Sequence, residues 1–452
     1  MVAAINLMVP QLAAAGLGLS SDQLIWAVDA YVIVFAGLLI PAGALGDRHG
    51  RRGALLAGLG LFAAGAALSA LADGPAVLIA GRAVSGAGAA LIMPATMSIL
   101  VQLAGPAHRA RALASWTLAL GLGGLAGNLG GGLVAQYLPW QALFWAMLPL
   151  AALLAAAVAT AVPAVPRHPA TPDATGSALL TGGLAAVLYG IIEGPSHGWA
   201  SAQVLTAFAA GALLLAAFTG YALRARHPLV DPRLFGNRRL RSAALGSAAS
   251  FFGLFALFYV NSQYLQYVKG YSAALTGLAI APLTVGMALA PRVAVRIQAR
   301  YGPRPLIGGG LLLIGLGLLG VSTADAGTPY PLYAVHLLVL SAGMGLSAPA
   351  LAYGVVSELP PGRAGLGAGL NTAAREAGAA LGVAVVGTVL AARAGGPGTA
   401  ADRFTAGMGL GLRLVAVLVL LAAAVATAGY RADRTPSAAA PPAETPDHPV
   451  AL

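Results

Sequence analysis

Apolar residues run along this chain in long blocks, and polar residues are confined to the short breaks between them. The blocks lie near 2–19, 24–46, 53–72, 76–103, 110–136, 140–163, 176–194, 200–223, 240–267, 273–297, 304–323, 329–357, 362–392 and 406–429. About twenty residues of helix cross a bilayer, so the pattern predicts an all-α membrane protein with about fourteen spans. The first block is the shortest and begins at Met1 without a basic flank or a small-residue cleavage site, so it reads as a span rather than a signal peptide. Two breaks are longer, polar and rich in Pro and Arg: 164–175 and 224–239. They divide the chain into a six-span bundle (1–163), a linker with two inserted spans (164–239) and a second six-span bundle (240–429). A Pro/Ala-rich tail follows (430–452), expected to be a disordered cytoplasmic segment.

One break is dense in charge: Gly43-Ala-Leu-Gly-Asp-Arg-His-Gly-Arg-Arg52. Each of its four fixed charges would cost several kcal/mol, about 2.5–3.5 on insertion scales, in hydrocarbon. The stretch is therefore a tight polar turn between two spans, and its three arginines place it on the cytoplasmic side. Glycines allow two helix ends to approach closely there. Asp47 is acidic in a basic turn and calls for a specific partner; the positive N-terminus of a neighbouring helix would serve.

Composition narrows the function. At 58% hydrophobic residues and a mean hydropathy of +0.82 the chain is too apolar for a soluble domain. Its 61 glycines suit close helix contact in lipid. It has no cysteine, so thiol chemistry is excluded, and Gly rather than Ser or Thr follows its one lysine, Lys269, so it carries no Walker A loop. Pumping would need an ion gradient or another subunit. A net charge of +11 suggests nucleic acid, but most of the 25 Lys and Arg residues fall in alternate loops and in the tail. Only Lys269, Arg393 and Arg403 fall on the other side. That asymmetry predicts a multi-pass plasma-membrane protein with both termini cytoplasmic, and no nucleic-acid partner. Gly121-Leu-Gly-Gly-Leu-Ala126 fits a dinucleotide fingerprint by letter, but no strand precedes it and it lies within a span. No catalytic triad or metal cluster is evident, so neither enzyme chemistry nor a cofactor is expected.

The charged turn resembles the loop between spans two and three of the major facilitator superfamily, whose aspartate and arginines are taken to latch two halves together. On that resemblance Gly43, Gly46, Asp47, Arg48, Gly50, Arg51 and Arg52 form a cytoplasmic latch. Arg300-Tyr-Gly-Pro-Arg304 echoes the turn in the second half, but Ala299 stands where the first copy has Asp47, so the latch would be one-sided. Arg82 with Gly86, followed by Met93-Pro94, is similar to the family's fourth-span motif. Gly123, Gly127, Gly131 and Gly132 are similar to its fifth-span antiporter motif, with Asn128 in place of a proline. His227–Asp231, the run from Gln263 to Pro282, and Gly365–Gly382 resemble the fourteen-span drug:proton antiporters, the EmrB/QacA-like group. Two positions depart from that group. Trp140-Gln-Ala-Leu-Phe144 stands where W-R-W-x-F is usual. The acidic position five residues before Asn6 falls on Met1.

Within spans the ionisable residues are few. Arg82 lies about 9 Å from the outer end of its span at 1.5 Å per residue, and either faces a cavity or carboxylate or snorkels outward. Asp29 has similar depth between Trp26 and Tyr31, and is expected to hold Arg82 when charged and release it when protonated; the alternative is an interfacial residue in an aromatic belt. Arg375 and Glu376 point about 100° apart on one helix and are not expected to pair with each other. Glu376 replaces the group's usual Gln and is a second candidate proton site, or else part of a structural ion pair. Asp29, Arg82 and Glu376 are thus the proton-coupling candidates. His336 reads as a structural histidine. Phe255, Tyr259, Asn261, Gln263, Asn371 and Arg375 are candidates to line a substrate cavity, although lipid-facing aromatics are the commoner case. The reading is a transporter that exports drugs or other amphipathic small molecules in exchange for protons by alternating access. A dedicated exporter of an endogenous metabolite or antibiotic is the alternative, and a non-transporting sensor is the alternative of another class.

Overall fold

Inside a bilayer a backbone has no water to bond, so uninterrupted apolar blocks close their own hydrogen bonds as helices. The computed structural model describes residues 15–163, 173–359, 363–395 and 397–430, together with Ile5, Met8, Gln11 and Leu12. The helices are α1 (Ser21–His49), α2 (Arg51–Ala70), α3 (Pro75–Tyr137), α4 (Gln141–Ala161), α5 (Ala174–His197) and α6 (Ala202–Ala222), then α7 (Arg238–Gln263), α8 (Ala273–Ala279), α9 (Ala281–Tyr301), α10 (Arg304–Val321), α11 (Tyr330–Ser357), α12 (Ala364–Arg393) and α13 (Ala400–Gly429). No strand occurs among the described residues. Helix starts follow local chemistry. Ser20 and Gln23 form a reciprocal capping box at α1, Thr399 and Asp402 form another at α13, and Asp173 caps α5.

At 63 residues α3 would run about 95 Å if straight, three times the hydrocarbon thickness. It breaks at Gly105, whose φ of 65° and ψ of 172° are not helical. The two limbs fold back on each other: Trp116 reaches Thr96 across the bend, and Met97, Val101, Leu113 and Trp116 share one cluster.

Twelve helical stretches among the described residues are long and apolar enough to cross a membrane. Two of the fourteen expected spans are not in that set. The block 2–19 lies mostly outside the described residues; of it, Ile5, Met8 and Leu12 are buried beside Trp140 and Phe144. The block 110–136 is helical, as the second limb of α3. The linker 164–172 and the tail 431–452 also lie outside the described residues.

Helices α7 and α10 to α13 share one core, built around Leu257, Leu311, Leu337 and Val415. The hairpin α5–α6 packs on both α1 and α12. The limbs of α3 meet α9, α11 and α12. Near the charged turn, Met97, Val101, Leu113 and Trp116 of α3 pack with Ala352 of α11 and Ala368 of α12, so the two halves of the chain close on each other at that end.

Candidate functional site

A single residue, Gly50 with φ 102°, joins α1 to α2. The sharp turn brings Asp47 and Arg51, four residues apart, onto one face: Arg51 Nε donates to Asp47 Oδ1 at 2.8 Å and its Nη2 lies 2.6 Å from the same oxygen. Both residues are buried. Asp47 also reaches across to the other half. Its Oδ1 and Oδ2 accept from the backbone N–H groups of Gly365 and Leu366, each at 3.0 Å. These are orphan donors at the start of α12, which has no side-chain cap of its own. The partner expected from sequence is thus the N-terminus of α12. Close approach is enforced by size: a Cβ on Gly43 would stand 2.2 Å from the Gly365 carbonyl oxygen. Arg52 donates to the Ala159 carbonyl, near the C-terminus of α4. Gly46 is buried, and Arg48 is half-buried.

Arg82, on α3, is fully buried. Its Nε donates to the Ala27 carbonyl at 2.9 Å and its guanidinium lies 4.5 Å from the centre of the Tyr31 ring. Both Nη atoms are buried without a hydrogen-bond partner. Asp29 is not that partner, and this corrects the expected pair. Ala27 and Tyr31 lie four apart on the face of α1 turned toward α3; Asp29, two residues from each, is rotated about 200° away. It faces α5, where its charge neighbour is Glu193.

Glu376, on α12 in the other half, is half-buried. Arg375, its neighbour in sequence, turns elsewhere: its guanidinium lies 3.9 Å from the centre of the Phe251 ring and 5.3 Å from that of Trp116. The two make no ion pair with each other, as the 100° offset requires. Cation–π contacts of this kind contribute about 0.5–2 kcal/mol each. Phe251 continues into Phe255 and Phe258, with ring centroids 6.0 and 5.7 Å apart. Phe255 is half-buried, so part of this aromatic wall stays open.

The other cavity candidates fall differently. Asn371 is buried and accepts from Ser247 at 2.8 Å between α12 and α7. Asn261 is buried and accepts from Tyr333 at 2.5 Å. Both are inter-helix ties rather than cavity walls, because a polar group in an apolar bundle is stabilised most by a neighbouring helix. Gln263 Nε2 donates to the Tyr259 carbonyl on its own helix. The exposed Tyr259 ring lies against Gly387 of α12. His336 packs its ring on Gly320. In the antiporter-like motif, Gly131 is buried and Gly127 half-buried, whereas Gly123 and Gly132 have no neighbour within 4 Å of a Cβ. The Asn128 side chain lies outside the described residues.

One buried acid was absent from the expected set. Glu193, on α5, is 3% exposed, and its Oε2 lies 2.8 Å from His197 Nδ1. The signal was present as a Glu and a His four residues apart at a span end.

Among the described residues no group of His, Cys, Asp or Glu has the arrangement of a metal site. The buried polar and charged groups described above come from both halves of the chain.

Comparison with known proteins agrees with this geometry. The chain is 33% identical over 369 residues to a methylenomycin A resistance protein of Streptomyces coelicolor, covering 81% of this chain and 78% of that protein. It is 35% identical over 389 residues to the cephamycin export protein CmcT of Amycolatopsis lactamdurans, covering 83% and 79%. Its fold matches the crystal structure of the human organic anion transporter MFSD10 (TETRAN) with a TM-score of 0.66 at 20% identity, over 92% of this chain and 88% of that one. The sequence model of the Major Facilitator Superfamily matches residues 1–383 and 243–451. The chain belongs to the Major Facilitator Superfamily, a family of membrane transporters rather than enzymes.

Proposed function

We propose that this protein exports an amphipathic small molecule of the antibiotic or drug class across the plasma membrane in exchange for protons, by alternating access. Its relatives named for methylenomycin A resistance and cephamycin export support the substrate class. The observation that carries the coupling is Arg82, fully buried beside Tyr31 with both Nη atoms lacking a hydrogen-bond partner. Glu376, within α12 of the other half, is the proposed proton carrier. A carboxylate inside a span is costly when charged, so gain or loss of its proton changes how well α12 packs in each state. Phe251, Phe255 and Arg375 offer an apolar, aromatic wall with one fixed charge, suited to a bulky amphipathic ligand.

The latch supports the alternating part of the reading. Asp47 bonded to α12 holds the halves closed at the end with the charged turn, and the distribution of basic residues supports a cytoplasmic position for that end. Two six-span bundles (1–163 and 240–429) then rock about the substrate, with the hairpin inserted between them and both termini inside the cell.

The test is flux in proteoliposomes, with a panel of cationic and neutral dyes and an antibiotic, with and without an imposed proton gradient. Uphill export that needs the gradient supports the proposal. Movement that ignores the gradient removes the coupling, and no movement of any substrate leaves a sensor. A dedicated exporter is the second reading, favoured by the single-antibiotic names of both relatives; transport of one panel member alone would select it.

A further inference from the structure

A cluster of titratable groups lies outside this machinery, where the inserted hairpin meets α1. Glu193 is buried near the end of α5 and bonded to His197 one turn on. Ser196 Oγ lies 3.4 Å from Glu193 Oε2 and 3.3 Å from His197 Nδ1. The His197 side chain is 35% exposed, against 4% for Glu193, so the pair runs from a water-accessible imidazole to a buried carboxylate.

The register of the helices brings Asp29 to the same height. A Cβ on Gly37 of α1 would touch Thr181 and Ala185 of α5. The helices run antiparallel, so eight residues up α1 and eight along α5, Asp29 stands opposite Tyr189–Glu193. The Trp26 and Tyr189 rings, 5.7 Å apart, close the same interface.

Among the described residues neither carboxylate has an Arg or Lys within ion-pair distance. On α6, Tyr221 is the titratable group, and it bonds Asp173 at the opposite end of the hairpin. Helix α12 meets this region through Thr388, which accepts from Trp199 Nε1 at 3.0 Å, and through Gly387, near Pro195 and Tyr259. Arg393 is exposed, with its Cβ beside Gly407 of α13. Beyond the end of α7, Lys269 donates to the carbonyls of Ala326 and Thr328. Two acids facing one another in an apolar wall, with histidine as the one basic neighbour, are stabilised by sharing a proton.

We propose that Glu193, His197 and Asp29 form a proton-binding site by which the inserted hairpin takes up a proton from the outer side. The proton binds the exposed imidazole of His197. It then moves along the 2.8 Å contact, where the Nδ1–H bond breaks and an O–H bond forms on Glu193 Oε2, leaving a neutral imidazole and a neutral acid. Loss of the negative charge on Glu193 removes its repulsion with Asp29 and lets α5 stay packed on α1. The site assigns the two inserted spans a role in sensing external pH. It uses the proton-coupled reading only to explain why that sensing matters; proton binding itself is measured without transport.

The experiment is proton uptake by the purified full-length protein in detergent, followed with a pH dye on acidification from about pH 8 to pH 5, the range in which histidine and perturbed acids titrate. Glu193→Gln should take up one proton fewer per chain than the wild type, and its transport rate should lose the part of the pH profile that Glu193→Asp restores. Asp29→Asn should shift the same limb of the profile. An unchanged proton count in Glu193→Gln overturns the proposal, whether or not the variant is less stable. Gradient-independent export by the wild type sinks the coupling mechanism above and leaves this count untouched. An unchanged count with gradient-driven export intact sinks the present site alone.

Discussion

Asp47 on α1 caps the first turn of α12 across 318 positions of sequence, bonding the amides of Gly365 and Leu366 at 3.0 Å while Arg51 holds its Oδ1 from behind. The carboxylate satisfies two orphan donors, meets the positive end of a 30-residue helix and neutralises a buried arginine. These contacts exist while the halves are closed at this end, so they bias one state of the transporter and not both.

Asp47→Asn keeps the shape and removes the charge. A hydrogen bond to a charged group contributes about 1.5–3 kcal/mol, so uphill export should fall by roughly tenfold or more while membrane expression is kept. Ala299→Asp should change export little, because Ala299 is exposed. Equal effects from the two variants would contradict a one-sided latch.

Gly43→Ala should be as damaging as Asp47→Asn. The added Cβ would overlap the Gly365 carbonyl oxygen, so α1 and α12 must part. Gly123→Ala, in the antiporter-like motif, meets no atom within 4 Å and should transport normally. Measured export rates for the pair separate close packing from motif membership; inactivity of Gly123→Ala alone would reverse this order.

Glu376→Gln should abolish uphill export and leave downhill counterflow of substrate, since the proton site is lost and the aromatic wall is not. Asp29→Asn should export uphill with an altered pH profile, because its carboxylate faces α5 and not Arg82. Loss of uphill export in Asp29→Asn with normal export in Glu376→Gln would return the coupling role to Asp29.

Arg375→Lys should weaken substrate binding without stopping turnover. The planar guanidinium stacks on Phe251 and Trp116, and a lysine ammonium stacks less well. A loss of about 0.7–1.4 kcal/mol corresponds to a KM raised about three- to tenfold. Phe255→Ala should raise KM for bulky substrates more than for small ones. An unchanged KM in both variants would place the substrate elsewhere.

Reporter fusions after Arg167, Arg239 and Arg434 should all report cytoplasm. An external signal from any of the three would break the fourteen-span topology.

Much of the candidate site was legible from residue types. The charged turn had to leave the bilayer, and an acid among arginines beside glycines called for a helix N-terminus. The divergence of Arg375 and Glu376 followed from helix geometry alone. What failed was the direction of single side chains. Asp29 and Arg82 matched in depth, yet two residues of helical rotation separate Asp29 from the face that Arg82 touches. Asn261 and Asn371 resembled cavity groups and are ties between helices. Glu193 lay at the edge of a span and had no evident partner until α5 was set against α1.

The amino-acid sequence by itself determined the all-helical membrane class, the polar breaks and the kind of partner Asp47 needs, because each depends on the medium or on local backbone chemistry. Water and hydrocarbon differ so strongly toward charge that a few arginines and long apolar runs decide where the chain crosses. The tertiary structure alone decided which face of each helix meets which neighbour. Lipid and protein interior are both apolar, so hydropathy carries little information about rotation of a helix on its axis. That rotation is chosen by shape, through contacts such as Gly43 on Gly365 and Gly37 on Thr181. It turns Ala27 and Tyr31 toward Arg82 and Asp29 away from it.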